Sequence, residues 1–235
     1  MESFPIHRVK RLDFRVMPWR WPFADGRRSE INAHFAELKY KTPQLWNGRV
    51  LLGRNARFTA DTFGADYFET DFASFLAWRD WGFPDASVFN GFGMGALRSC
   101  DGAYALGEMA AHTANAGKIY FPAGTPDLND VRDGEVDIAG SVAREVEEET
   151  GLTAADYRVA DYWDCVVAGP LIALMRNLQS DLDGETLRQR IQMNLARQAV
   201  PELAAIHLMR RQSDITAMVP PYMAAFLAAR LTDAV

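Results

Sequence analysis

The stretch Arg144-Glu145-Val146-Glu147-Glu148-Glu149-Thr150-Gly151-Leu152 decides the reading of this chain. Glu145, Glu148 and Glu149 are spaced i, i+3, i+4. At about 100° per residue they share one sector of a helix, while Glu147 points away. Like charges held this close repel and weaken the helix. A divalent cation would remove that cost, because hard cations such as Mg²⁺ take carboxylate oxygens and share their shell with substrate phosphates. A Glu-rich turn is more often a solvated face. Two neighbours argue for the metal platform. Arg144 is spaced to pair with Glu148 at i+4, and Gly151 stands where a helix C-terminus takes a left-handed residue.

The helix start is readable independently. Asp137 is a good N-cap. Ile138, Val142 and Val146 then repeat at i+4 and form an apolar stripe facing a core. The stripe lies beside the carboxylate sector rather than opposite it, so the acids fall at the edge of the buried face, at a cleft. Gly140 and Ser141 are small, which suits either close approach to a neighbour or simply a weak first turn.

The pattern Arg-Glu-apolar-x-Glu-Glu-x-Gly-apolar over residues 144–152 resembles the most diagnostic part of the Nudix box. Upstream the match departs from the family pattern. Counted back without gaps, the box glutamate falls on Val136 and the box glycine on Asp130. Gly134-Glu135, one residue earlier, resembles the family's Gly-Glu pair. Phe121-Pro122-Ala123-Gly124 resembles the turn that enters the box. The loop between, residues 125–133, is longer than the family pattern and rich in Asp, Asn, Pro and Thr, as a surface insertion should be.

The resemblance implies an α/β fold: a Nudix-type α/β/α sandwich with a mixed sheet, clear over residues 120–152 and extending from about residue 96 to the C-terminus. It implies that Glu145, Glu148 and Glu149 hold Mg²⁺, for which Mn²⁺ substitutes, with the Gly124 carbonyl as a further ligand. Glu145 or an acid from a later loop would be the general base, with Asp181, Asp183 and Glu185 as candidates that are equally readable as solvated. Arg144 would orient the carboxylates, and Glu135 would fill the shifted box-glutamate role. The implied activity is hydrolysis of a pyrophosphate bond in a nucleoside diphosphate linked to another moiety, such as a nucleotide sugar or ADP-ribose. A Nudix-fold module that senses a nucleotide without cleaving it is the alternative, and Val136 at the glutamate position favours it slightly.

Substrate identity is less legible. The upstream motif of coenzyme A-hydrolysing relatives is absent, and Pro170 lies further past the box than the proline of ADP-ribose hydrolases. Residues 43–54 resemble larger relatives with an N-terminal lobe, including a UDP-glucose-hydrolysing type.

Composition bounds the rest. With 235 residues and 49% hydrophobic residues, the chain can bury a substantial core. Residues 1–89 are expected to form a small N-terminal α+β lobe and residues 90–235 the catalytic domain. Such a lobe shapes a substrate pocket, forms a homodimer interface, or is only structural. A net charge of −6 argues against nucleic acid as a partner. The longest apolar run, residues 166–175, is too short to span a bilayer, and residues 1–15 lack the apolar segment of a secretory signal. These features favour a cytoplasmic protein acting on a small molecule without a membrane. Cys100 and Cys165 have no metal-ligand spacing and read as reduced thiols. The four histidines are scattered, and the six tryptophans read as core residues, with stacking of a base or sugar by one of them as the alternative.

Element by element, the pattern predicts a strand at 7–16, a loop at 18–26 and a helix from about 29 ending before Pro43. It predicts strands at 46–54 and 57–69 with a turn at Asn47-Gly48, a helix opened by Asp71, and a hairpin about Asp101-Gly102. A strand at 118–121, another at 157–167, and helices at 184–198 and 220–234 follow. The Gly-rich segment Gly91-Phe92-Gly93-Met94-Gly95-Ala96 resembles part of a dinucleotide loop, but Asp101-Gly102 leaves no room for the helix such a loop must open. It therefore reads as a flexible linker.

Overall fold

The structure is a computed structural model that describes residues 4–113 and 115–231. Strand β1 (Ile6–Val9) pairs with one part of the sheet and β2 (Arg11–Val16) with another. The single strand expected at 7–16 is thus two, because the chain changes neighbours at Lys10. Helix α1 (Pro22–Gly26) occupies the expected loop at 18–26. Its proline sits at the first position, where a missing N–H costs nothing. Helix α2 (Arg28–Lys41) ends before Pro43 as expected. Strands β3 (Arg49–Phe58) and β4 (Thr62–Asp71) form a hairpin. Its turn lies at residues 59–61, not at Asn47-Gly48. Asn47 instead accepts a 2.8 Å hydrogen bond from the Ala73 N–H at the start of α3 (Phe72–Asp80), which Asp71 also caps.

Strand β5 (Val88–Arg98) corrects a second expectation. The glycine-rich segment expected to be a flexible linker is a buried central strand. Its glycines face packed groups: a Cβ at Gly93 would overlap Val142 and Ile138, and one at Gly95 would overlap Val146. The Tyr67 hydroxyl donates to the Gly91 carbonyl at 3.1 Å. Glycine is needed here for close approach rather than for flexibility.

The hairpin partner β6 (Tyr104–Met109) follows, then the short β7 (Ile119–Tyr120), β8 (Ala123–Gly124), β9 (Val131–Arg132) and β10 (Glu135–Val136). Helix α4 (Ile138–Thr150) carries the acids. Strands β11 (Tyr157–Ala168) and β12 (Leu171–Ser180) share the apolar run at 166–175. Helix α5 (Gly184–Leu195), strand β13 (Leu203–Met209) and helix α6 (Pro221–Ala228) complete the chain. Residues 232–234 of the last expected helix lie outside the described residues.

The sheet is mixed, with β12 parallel to β5 and antiparallel to β11, and helices cover both faces. Helices α4 and α5 pack on one face through Val142, Val146, Leu187 and Ile191. Helix α6 packs on the other through Met223, Phe226 and Leu227 against Met94, Ala96 and Met175. This is the α/β sandwich with a mixed sheet that was expected. Helices α1–α3 close a third apolar cluster with Trp21, Phe68 and Trp78. The expected boundary at residues 89/90 falls within β5. Strand β1 pairs with β11, and Phe14, Phe63 and Tyr67 join Val142 and Val146 in one core. Among the described residues no helix is long and apolar enough to cross a membrane. Cys165 is buried, Cys100 is exposed, and both are free.

Candidate active site

Local chemistry fixes α4 at both ends. The Asp137 side chain accepts from the Gly140 N–H at 2.8 Å, and Gly151, at φ 73°, ends the helix by donating to the Glu147 carbonyl at 2.8 Å. The stripe Ile138, Val142, Val146 is buried against the glycines of β5. That seating turns the acids toward β8 and makes them unequal. Glu149 is 6% exposed. Its Oε1 accepts from the Ala123 N–H at 3.3 Å, while Oε2 is buried with no partner. Glu145 is partly buried and its carboxylate lies directly against Gly124, where any Cβ would overlap it. Glu148 is 61% exposed and turns to Arg144 at 3.5 Å.

The electrostatics follow from this burial. Desolvation, then the charge of Glu145, pushes the Glu149 carboxyl up to about 8. Burial also raises Glu145, although Arg144 opposes it. The Tyr120 hydroxyl, near the same acids, is pushed up to about 12 chiefly by burial, and it accepts from Asn115 Nδ2 at 3.1 Å.

Arg144 sits between two acids. It reaches Glu145 at 2.8 Å and Asp130 at 3.1 Å. Asp130, 4% exposed, also accepts from the Ser141 hydroxyl at 3.2 Å and the Asp127 N–H at 3.0 Å. The insertion loop thereby supplies a buried anchor for Arg144. Glu135 stands in β10, exposed, in register with Arg15 and Arg132. It precedes the N-terminal end of α4, which lies about 16 Å along the helix from Glu149 at 1.5 Å per residue. The charges bearing on Glu145 are chiefly Arg144, Glu148 and Glu202, and those on Glu149 are Glu145, Glu202 and Glu148.

Glu202, exposed at the entry to β13, was not singled out in the sequence. Its charge bears on Glu145, Glu149 and Tyr120 together. The later-loop acids that were singled out are engaged elsewhere. Asp181 pairs with Arg158 at 2.8 Å, Asp183 caps α5, and Glu185 pairs with Arg188 at 2.5 Å.

The donor set suits a hard cation in chemistry: two carboxylates beside the β8 backbone at Gly124, one of which has a buried oxygen, Glu149 Oε2, that lacks any partner. Among the described residues, no three Asp, Glu, His or Cys side chains close on one point. Glu148, the remaining acid of the triplet, is held toward Arg144. His34 and His207 are paired with Asp80 and Glu108 and lie apart from this set.

The chain is similar to Nudix hydrolases of known structure. RenU, a Nudix hydrolase from M. smegmatis, is 16% identical and matches 60% of this chain and 85% of its own, with a TM-score of 0.39. The MutT protein from Methanosarcina mazei is 19% identical, over 60% of this chain and 91% of its own, with a TM-score of 0.36. The Bacillus subtilis pyrophosphohydrolase BsRppH is 18% identical over 50% of this chain and 61% of its own, with a TM-score of 0.30. No family model matches the chain, and no curated protein matches it. The functional reading therefore rests on the residues of the site.

Proposed function

We propose that this protein is a metal-dependent pyrophosphohydrolase acting on a nucleoside diphosphate linked to another moiety, of the nucleotide-sugar or ADP-ribose kind. The observation that carries the reading is the buried, unpartnered Glu149 Oε2 beside the Glu145–Gly124 contact. Two carboxyls raised by burial are costly unless something compensates them. A cation held by Glu145, Glu149 and the Gly124 carbonyl, with Glu148 swinging in from Arg144, would do so. Bound Mg²⁺ or Mn²⁺ would supply charge neutralisation at phosphate and acidify a water.

The chain's own groups take the remaining roles. Arg144, anchored by Asp130, holds the Glu145 carboxylate in place. Glu145 and Glu202 are the two acids suited to accept a proton from the attacking water. Tyr120, protonated at working pH, sits beside these acids. Glu135 is assigned no catalytic role in this scheme because its strand leaves it at the other end of α4.

The second reading, a nucleotide-sensing module without turnover, draws on Val136. This residue occupies the box-glutamate position and is buried in the core. The two readings separate in one assay. Nucleotide sugars, ADP-ribose, dinucleoside polyphosphates, NADH and coenzyme A are incubated with Mg²⁺ or EDTA, and nucleoside monophosphate release is followed. Cleavage that EDTA abolishes supports the hydrolase. Nucleotide binding without cleavage across the panel supports the sensor.

A further inference from the structure

On the face of the sheet covered by α6, away from α4, lies a cavity of about 310 Å³. The alternation along β5 sets the face: Gly93 and Gly95 meet α4, whereas Met94 and Ala96 belong to the α6 cluster. Ala96 lines the cavity, and four arginines surround it: Arg8, Arg98, Arg158 and Arg230. They come from β1, β5, β11 and the segment after α6, far apart in a chain whose net charge is −6.

The fold builds this grouping from below. Asp164, 1% exposed, accepts from Arg8 Nε at 3.0 Å and from Asn177 Nδ2 at 3.0 Å, and pairs with Arg230 at 2.6 Å. One buried carboxylate thus orients two guanidiniums, and the Arg8 guanidinium is also stacked 3.9 Å from the centre of the Tyr162 ring. The pairing of β11 with β12 shifts register between Val159 and Trp163, so the strand bulges where Ala160 and Tyr162 line the cavity. Bulges commonly re-aim side chains in this way. Arg98 lies 5.6 Å from the Tyr104 ring centre and binds the Gly102 carbonyl through Nε. Arg158 is mostly exposed and pairs with Asp181.

Counting charges, four guanidiniums face two carboxylates, Asp164 and Asp181, which leaves an excess of positive charge around the cavity. Asn177 and Gln179 add amide groups to the lining. Guanidiniums present paired N–H donors that match phosphate oxygens. A volume near 300 Å³ suits a small ligand, and prior orientation of Arg8 and Arg230 lowers the entropic cost of binding. We infer that this cavity is a second binding site, for a small phosphate-bearing anion, separate from the acidic cluster of α4.

If Asp164 and its arginines were only a staple joining the N-terminal strand and C-terminal helix to the sheet, Arg98 and Arg158 would have no part in binding. The test is calorimetric titration of inorganic phosphate, pyrophosphate and AMP into the full chain in EDTA, which disables any metal-dependent site. The wild type, Glu149→Gln, and the double variant Arg98→Ala/Arg158→Ala are compared. Both arginines are exposed, so the double variant is expected to fold, and its thermal melting checks this. Saturable binding that survives in Glu149→Gln and weakens at least tenfold in the double variant is the expected result. Preference for AMP over inorganic phosphate would mark a nucleotide as the source, and equal affinity a free phosphate. Absence of binding by any probe would overturn the inference. So would binding that the arginine changes leave intact, or that Glu149→Gln removes. Because no metal or turnover is involved, failure here leaves the hydrolase reading standing.

Discussion

The Ala123 N–H donates to Glu149 Oε1 and leaves Oε2 of the same carboxylate buried without a partner. One hydrogen bond is too little for a charged carboxylate at this depth, and that deficit explains why its proton is held to about pH 8. Glu149→Gln should therefore abolish metal-dependent turnover while leaving the metal-free fold intact or slightly more stable. Thermal melting and product release on the same preparation check both halves. Wild-type turnover in that variant would sink the assignment.

The same shift predicts how stability follows pH. Glu149 titrates near 8 when folded against 4.5 ordinarily. Between those values the folded chain holds the extra proton, so this group's contribution is fully present below pH 4.5. It declines as pH rises and is lost above about 8. Metal-free melts at pH 6 and pH 8 should show a loss that Glu149→Gln lacks. Mg²⁺ should stabilise more at pH 8 than at pH 6, because binding displaces the proton.

Gly124 meets the flexible end of Glu145 rather than backbone. Gly124→Ala should move that carboxylate at little cost to the fold, within about 1 kcal/mol. Metal affinity should fall by about tenfold, read by calorimetry. An unchanged affinity would remove Gly124 from the site.

Asp130 anchors Arg144 and takes two further hydrogen bonds in a buried position. Asp130→Ala should cost about 1–3 kcal/mol, as expected for stranded buried partners, and should lower turnover through Arg144. Urea melts measure the first effect. If turnover per folded molecule were unaffected, Asp130 would be structural only.

Gly93 and Gly95 admit α4 to the sheet. Gly95→Val should destabilise by about 1–3 kcal/mol or more through overpacking. A neutral result in urea melts would mean that α4 sits further from the strand.

What the sequence disclosed, and what it hid, divides along locality. Helix α4 was legible to its ends because its cap, stripe and stop all lie within the helix and its flanks: Asp137, Val142, Gly151. The mixed sandwich was legible through the same segment. The end of β5 was legible as one arm of the Asp101-Gly102 hairpin, but its glycine-rich first part was hidden because the meaning of Gly91, Gly93 and Gly95 lies in Tyr67 and α4, which sit over them, and not in their neighbours along the chain. Asn47-Gly48 had the composition of a turn, but Asn47 was committed to capping α3. Within the candidate site, the helix acids are legible by their spacing, whereas Asp130 and Glu202 are brought in by a loop and a strand end. An isolated acid in either place carries no periodic signal. The one usable hint for Glu202 was an acid directly before the apolar run that becomes β13.

The central claim is that α4 presents a metal site, and titration of Mn²⁺ into the wild type and Glu149→Gln, followed by electron paramagnetic resonance, tests it most directly. The account predicts saturable binding by the wild type, with proton release at pH 7, and loss of both in the variant. Equal binding by the two proteins, or none by the wild type, would contradict it.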